Sequence, residues 1–482
     1  LQGPPRAYAP TEADKPRLSM RPQSLTEGSI SRGLIFFALP ILYGTVLQSL
    51  NGSVNSIWVG RFLGEAALTA TTNANTLLFL LLSAAFGLSM ATTILIGQHF
   101  GSRQVDMAKR VAGTSATFFA VLSLAVTTVG WLACEPLLRL MRTPADALPL
   151  AVSYMRVIFL GLPFIFMNVF MSAALRGAGD SKTPFYFLLL NVVLDIVLNP
   201  VFIFGLGPLP ALGVAGSALA MLVAQAISLT ALITYAYRNK HVLCLHRDEL
   251  KLLRMDGSIV GPLVRKGVPM GLQMLVMSFS GVLMISLVNR FGVDTSAAYA
   301  AAFQIWHYVQ MPSIALGLAV STFAAQNVGA GLWDRVAKTA RVGVAYGSLF
   351  TGSLVVILEL FSRPVLSLFL PPDSPALAIG EHLNSIVAMS FVFFGVTFVL
   401  FGVVRATGAV VAPLLILTFT LLVVRFGVAW LLLDTFRAEA IWWSFPLTSA
   451  ISALLAVLYY KFGGWRSARM AAPASYSSRA SA

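Results

Sequence analysis

The sequence predicts an all-α integral membrane protein: twelve transmembrane helices arranged as two pseudo-symmetric six-helix bundles that face each other across a central cavity. Three observations carry this reading. First, the chain repeats itself at an offset of 229 residues: Pro40 pairs with Pro269, Arg61-Phe62 with Arg290-Phe291, and Arg176, Gly179 and Pro184 with Arg405, Gly408 and Pro413. Second, it is 57% hydrophobic and only 11% charged, with a mean hydropathy of +0.81, where a soluble domain carries about 25% charged residues. Third, its basic residues are sorted by side. With both termini on one side of a bilayer, 25 of the 33 Lys and Arg fall on that side, six fall opposite, and Arg156 and Arg425 lie inside spans.

A hydrocarbon core of about 30 Å takes about 20 apolar residues per helix. Twelve stretches supply them: 34–58, 67–97, 110–133, 148–175, 184–207, 213–237, 259–289, 296–326, 338–361, 378–404, 412–434 and 439–460. By the positive-inside rule the 25 basic residues face the cytoplasm, so the chain belongs in an inner or plasma membrane with both termini cytoplasmic. The same sorting accounts for the net charge of +14 and excludes nucleic acid as its reason. An even number of spans per half leaves the halves parallel, related by an axis along the membrane normal, as in secondary transporters.

The chain then divides into a cytoplasmic tail 1–32, an N-terminal lobe 33–237, a connector 238–258, a C-terminal lobe 259–461 and a second cytoplasmic tail 462–482. The first thirty residues hold no apolar core of a signal peptide, and residue 1 is not Met, so Met20 is a possible internal start. The charged connector fits either an amphipathic helix lying on anionic lipid or a solvated linker. A looser echo joins the loop ends of the second and eighth spans: Gln98-x-x-Gly101 answers Gln326-x-x-Gly329. Pro40, Pro163, Pro269, Pro312 and Asn199-Pro200 are expected to interrupt their spans, since proline removes a backbone donor.

Only one carboxylate falls deep within a predicted span. Asp195 costs about 2.5–3.5 kcal/mol at a bilayer centre on insertion scales, so it needs a cavity or a partner. Four-residue spacing puts Asn191, Asp195 and Asn199 on one stripe of the fifth span. A carboxylate flanked by amides can hold a proton, or ligate a monovalent cation together with backbone oxygens freed by Pro200. The bland alternative is a hydrogen-bond knot between helices. In the first span Gln48, Asn51 and Asn55 share a face, and Asn73 and Asn75 follow in the second; these either line a cavity or bond neighbouring helices.

The second half differs. Val424 stands where the offset places Asp195's counterpart, beside Arg425, which needs a counter-charge, a carbonyl or water. Cavity candidates there are Gln273, Met274, Met277, Met284, Trp306, His307, Tyr308 and Gln310, an adaptable wall of thioether and aromatic groups suited to flat or cationic guests. No catalytic residues, metal site or cofactor are expected: the five histidines lack zinc spacing, no GxxxxGK[ST] cradles phosphate, and Cys134 and Cys244 have no ligand spacing.

These residues resemble the multidrug and toxic compound extrusion (MATE) family, and its DinF-like branch most. The matching pieces are Leu39-Pro40, Asn55-Ser56-Ile57-Trp58-Val59-Gly60, Gly97-Gln98-His99-Phe100-Gly101, Leu175-Arg176-Gly177-Ala178-Gly179-Asp180, Asp195 to Ile203, Gln326-Asn327-Val328-Gly329-Ala330 and Arg405-Ala406-Thr407-Gly408. The resemblance spans residues 30–462. It implies a V-shaped twelve-helix exporter, likewise a monomer, that exchanges inward H⁺ or Na⁺ for outward organic, often cationic, compounds. The ion-site residues are atypical. Asn55 stands where the branch usually carries an Asp, the order at Asp195 and Asn199 is reversed, and Met277 stands where another branch carries an acid. The resemblance therefore gives the coupling role to Asp195 with Asn199, Asn55 and Asn191, and the cargo to Gln48, Asn51, Met277, Gln273, Trp306, His307 and Gln310. One acid without a second anionic ligand fits H⁺ better than Na⁺.

Rival readings are a major facilitator protein, a two-lobed lipid-precursor flippase, a membrane-embedded enzyme and a channel. The first lacks its loop motif, since Gly101-Ser102-Arg103-Gln104-Val105-Asp106 is not GxxxDRxGRR. The flippase calls for a more cationic central cavity. The enzyme lacks a partner for Asp195, and the channel lacks a repeated filter.

Overall fold

Long apolar helices follow one another in the order the hydropathy demands. The computed structural model describes residues 24–205 and 210–470; most of both expected tails, Met20 and part of the segment between the fifth and sixth spans lie outside the described residues. The helices are α1 Ile30–Leu63, α2 Glu65–Gly101, α3 Val105–Leu140, α4 Leu148–Gly177, α5 Lys182–Phe204 and α6 Val214–Arg238 in the first half. In the second they are α7 Gly257–Val288, α8 Val293–Gly329, α9 Trp333–Leu360, α10 (Pro375–Val387 with Ser390–Arg405), α11 Val411–Leu431 and α12 Ala438–Phe462.

Eleven of these are single helices, and α10 is the broken one, bent by 45° between its two pieces. The break is not where proline predicts it. Pro40, Pro163, Pro200, Pro269 and Pro312 all lie inside continuous helices. The bend falls at Ala388-Met389, where the Ser390 hydroxyl donates to the Val387 carbonyl. A serine hydroxyl on a nearby carbonyl competes with the helical ladder and bends it. Within α11, Phe419–Phe426 is wound as a π-helix.

In the first half α4 packs against α2, α3 and α6, and α5 against α6. The halves join through α1 on α8 and, in mirrored fashion, α7 on α2, with α2 also against α8. Close approach requires glycine here: a Cβ on Gly87 would collide with the backbone of Gly271. At the basic end the repeat becomes a reciprocal clasp. Gln98 Nε2 donates to the Ala406 carbonyl across the seam (2.7 Å), and Gln326 Nε2 donates back to the Gly177 carbonyl (2.9 Å). Gly177 and Ala406 are themselves 229 residues apart. A side chain on Gly101 would strike the Gln326 carbonyl, and one on Gly329 the Gln98 carbonyl. Residues 24–29 seal the same end: Leu25 N donates to Gln326 Oε1 (3.1 Å), and Arg335 donates to the carbonyls of Leu25, Glu27 and Gly28.

The connector is tied to the protein rather than running as a free linker. Its Arg247–Leu253 stretch forms a 3₁₀ helix clamped onto α3. Lys109 pairs with Glu249 (2.7 Å), Arg110 with Asp256 (2.6 Å), and Thr117 Oγ1 donates to the Leu253 carbonyl (2.6 Å). Lys109 and the His246 backbone N–H hold the Glu249 carboxyl down to about 2, and Ser258 with Arg110 holds Asp256 below its ordinary value.

Candidate functional site

The acid on α5 is enclosed by amides rather than opened to a cavity. Asp195 is 1% exposed and Asn199 is fully buried. Asn51 Nδ2 and Asn55 Nδ2, one turn apart on α1, both donate to Asp195 Oδ2 at 2.8 Å. Asn199 Nδ2 spans the remaining acceptors: Asn55 Oδ1 (2.9 Å), the Asp195 carbonyl (3.0 Å) and Asp195 Oδ1 (3.3 Å). No Lys or Arg among the described residues pairs with this carboxylate. The two amide donors on one carboxyl oxygen tie α1 to α5, and such bonds are about twice as strong when the acceptor is ionised. Two amide oxygens in the cluster, Asn51 Oδ1 and Asn199 Oδ1, are buried without a donor.

The placement of the predicted residues is mixed. Asp195, Asn199 and Asn55 converge as one group. Asn51, expected on the cargo wall, joins them instead, because its position four residues before Asn55 aims both amides at the same oxygen. Asn191, expected at the ion, makes no hydrogen bond to Asp195; it lines a cavity of about 310 Å³ in the N-terminal lobe together with Gln48 and Arg176. That cavity stops one helical turn from the acid. Tyr154, unremarked in the sequence, is buried near Asp195 and bonded to Asn75.

In the C-terminal lobe Met277, Trp306, His307 and Gln310 line a cavity of about 350 Å³. Trp306 is 1% exposed, and its Nε1 donates to Asn384 Oδ1 (2.8 Å), so its ring is largely a wall support. Gln273 is a correction: it lies outside both linings, 2% exposed, accepting from Arg405 (3.1 Å) and donating to the Val410 carbonyl (3.4 Å). Midway along α7, this glutamine meets an arginine and a loop carbonyl rather than the cavity. The sequence reading missed Thr448, Ser449 and Ser452, which add polar atoms to the lining. Their signal was present: Ser444, Thr448 and Ser452 recur every four residues along α12.

Arg425 also lines this cavity, from the π-helical part of α11, with its guanidinium 4.4 Å from the Phe445 ring. The repeat explains why no acid accompanies it. Asp195, Asn199, Asn51 and Asn55 map at the 229 offset onto Val424, Val428, Ser280 and Met284.

Known proteins agree with this architecture. The MatE family model matches residues 40–201 and again 269–431. The chain is 36% identical over 442 residues to the probable multidrug resistance protein YoeA of Bacillus subtilis, covering 91% of this chain and 95% of that protein. It is 31% identical to YpnP of the same organism, described in the same words, over 94% of this chain and 99% of the relative. Among solved structures, an outward-facing multidrug resistance MATE family transporter superposes with a TM-score of 0.85 at 21% identity, over 92% and 97% of the two chains.

Proposed function

This chain belongs to the MATE family, and on that premise we propose a secondary antiporter in which Asp195 carries the coupling cation, H⁺ in preference to Na⁺, and an organic compound leaves by alternating access. Family membership makes it a multi-pass membrane transporter, not an enzyme. The observation that carries the finer reading is the charge-held junction of α1 and α5. Protonating Asp195 cancels the charge that attracts Asn51 and Asn55, and the new O–H supplies a donor to a cluster with two donor-less amide oxygens. The α1–α5 contact loosens, and release of the proton restores it. The preference for H⁺ over Na⁺ rests on the cluster holding one acid and no second anionic ligand.

The driving force suffices, since each charge moving inward gains about 2.3 kcal/mol per 100 mV. The basic end, where the lobes clasp, is read as the cytoplasmic face of an inner or plasma membrane, with both termini there and one chain as the working unit. The clasp then describes a state closed to the cytoplasm. Efflux from proteoliposomes under a pH gradient alone and a sodium gradient alone tests the reading. The pH gradient should drive transport, and Asp195→Asn should remove that drive while the variant still folds; transport driven only by sodium, or undiminished in the variant, contradicts it.

A further inference from the structure

The C-lobe cavity contains a cation with nothing to hold. Arg425 has a buried Nε without an acceptor, and it makes no hydrogen bond or ion pair to any described residue. Its face is covered by Phe445, and its titratable neighbour is the phenol of Tyr299. Thr448 Oγ1 and Ser452 Oγ, on the same lining, are also buried without partners. Neither Asp nor Glu occurs among the described lining residues. Arg405 has unmet N–H groups as well, but it is bonded to Gln273, stacked on Phe398 and lines neither cavity.

The Arg425 Nε is buried without an acceptor while the side chain as a whole is half-buried on the cavity wall, and its planar fork matches a carboxylate or sulfonate with two parallel hydrogen bonds. A cationic guest would meet a like charge at close range with no acid on the lining to screen it. Phe394, Phe445 and Met277 add a flat, polarizable wall.

We propose that the C-lobe cavity binds an organic anion, a planar aromatic body whose carboxylate or sulfonate seats on Arg425 with Thr448 and Ser452 beside it. This rests on the exporter reading above and reverses the charge the family resemblance implies for the cargo.

Fluorescein and rhodamine 123 share a xanthene body and carry opposite net charge, so they test this directly by fluorescence polarisation on the purified full-length chain. Wild type should bind fluorescein and discriminate against rhodamine 123. Arg425→Gln should weaken fluorescein binding about 10- to 100-fold, the worth of a charge-assisted hydrogen bond, and admit rhodamine 123. Arg425→Lys, which keeps the charge and loses the bidentate fork, should fall between wild type and Arg425→Gln, and Thr448→Ala, which keeps the charge, should cost only a few-fold. Preference of wild type for rhodamine 123, no fluorescein binding by wild type, or equal fluorescein binding by a folded Arg425→Gln overturns the proposal. Binding needs no gradient, so pH-driven efflux that persists undiminished in Asp195→Asn, with fluorescein binding intact, would sink the coupling role of Asp195 and leave this assignment standing.

Discussion

The two lobes share a backbone plan and have exchanged polarity. In the N-terminal lobe a carboxylate sits buried on α5 with three amides turned toward it; in the C-terminal lobe the matching position is Val424, its neighbour is an arginine without a hydrogen-bond partner among the described residues, and the amides have become Ser280, Met284 and Val428. What remains symmetric is the backbone machinery, the Gln98 and Gln326 clasp and the glycines beneath it. The difference suggests a division of labour under the proposed function: repetition preserves the packing between the lobes while side-chain chemistry is free to specialise, one lobe for the coupling ion and the other for the cargo.

Breaking this division at its strongest point gives the largest effect. Asp195→Asn should reduce pH-driven efflux to background, whereas Val424→Asn, the same side chain at the equivalent position, should leave it unchanged in the same vesicle assay. Asn55→Asp sharpens the comparison by adding a second acid to the N-terminal lobe. Two carboxylates this close titrate as a coupled pair, so efflux should show two pH steps and acquire a response to a sodium gradient. Removing one amide while keeping the acid should do less. Asn51→Ala forfeits one hydrogen bond to a charged group, about 1.5–3 kcal/mol, and should slow gradient-driven efflux by about ten-fold or more while preserving its pH dependence.

The clasp predicts a smaller contrast. Gln98→Ala and Gln326→Ala each remove one interlobe hydrogen bond of about 1 kcal/mol, and Gln326→Ala also removes the acceptor for the Leu25 N–H, so both should raise the labelling of cysteines placed at the basic end of the seam by a few-fold, Gln326→Ala the more. A larger effect from Gln98→Ala would contradict this ranking. The smallest effect belongs to the connector. Lys109→Ala should speed amide exchange across residues 247–254 without altering transport. With Glu249 held down to about 2, the wild-type clamp contributes above the ordinary carboxylate range and is lost only as pH falls toward about 2.

Much of this was readable in the sequence. The repeat, the spans and the stripe through Asp195 and Asn199 are periodic features, and periodicity survives folding. Asn51 was not readable as an ion-site group, because Gln48, Asn51 and Asn55 lie on one face and only the crossing of α1 over α5 selects which two reach the acid. Gln273 depends on a neighbour distant in sequence, an arginine 132 residues away, whereas the bend of α10 turns on a local serine hydroxyl competing for a carbonyl three residues back, which proline positions do not signal. Arg425 was visible, but its isolation was not, since the lack of an acceptor is a property of the surrounding helices.

The account stands most directly on ion movement through Asp195. Vesicles containing the wild-type chain and a pH-sensitive dye, given a cargo gradient and no initial pH difference, should move protons against the cargo. Asp195→Asn should still exchange cargo for cargo yet move no protons; proton movement in that variant equal to wild type would contradict the central claim.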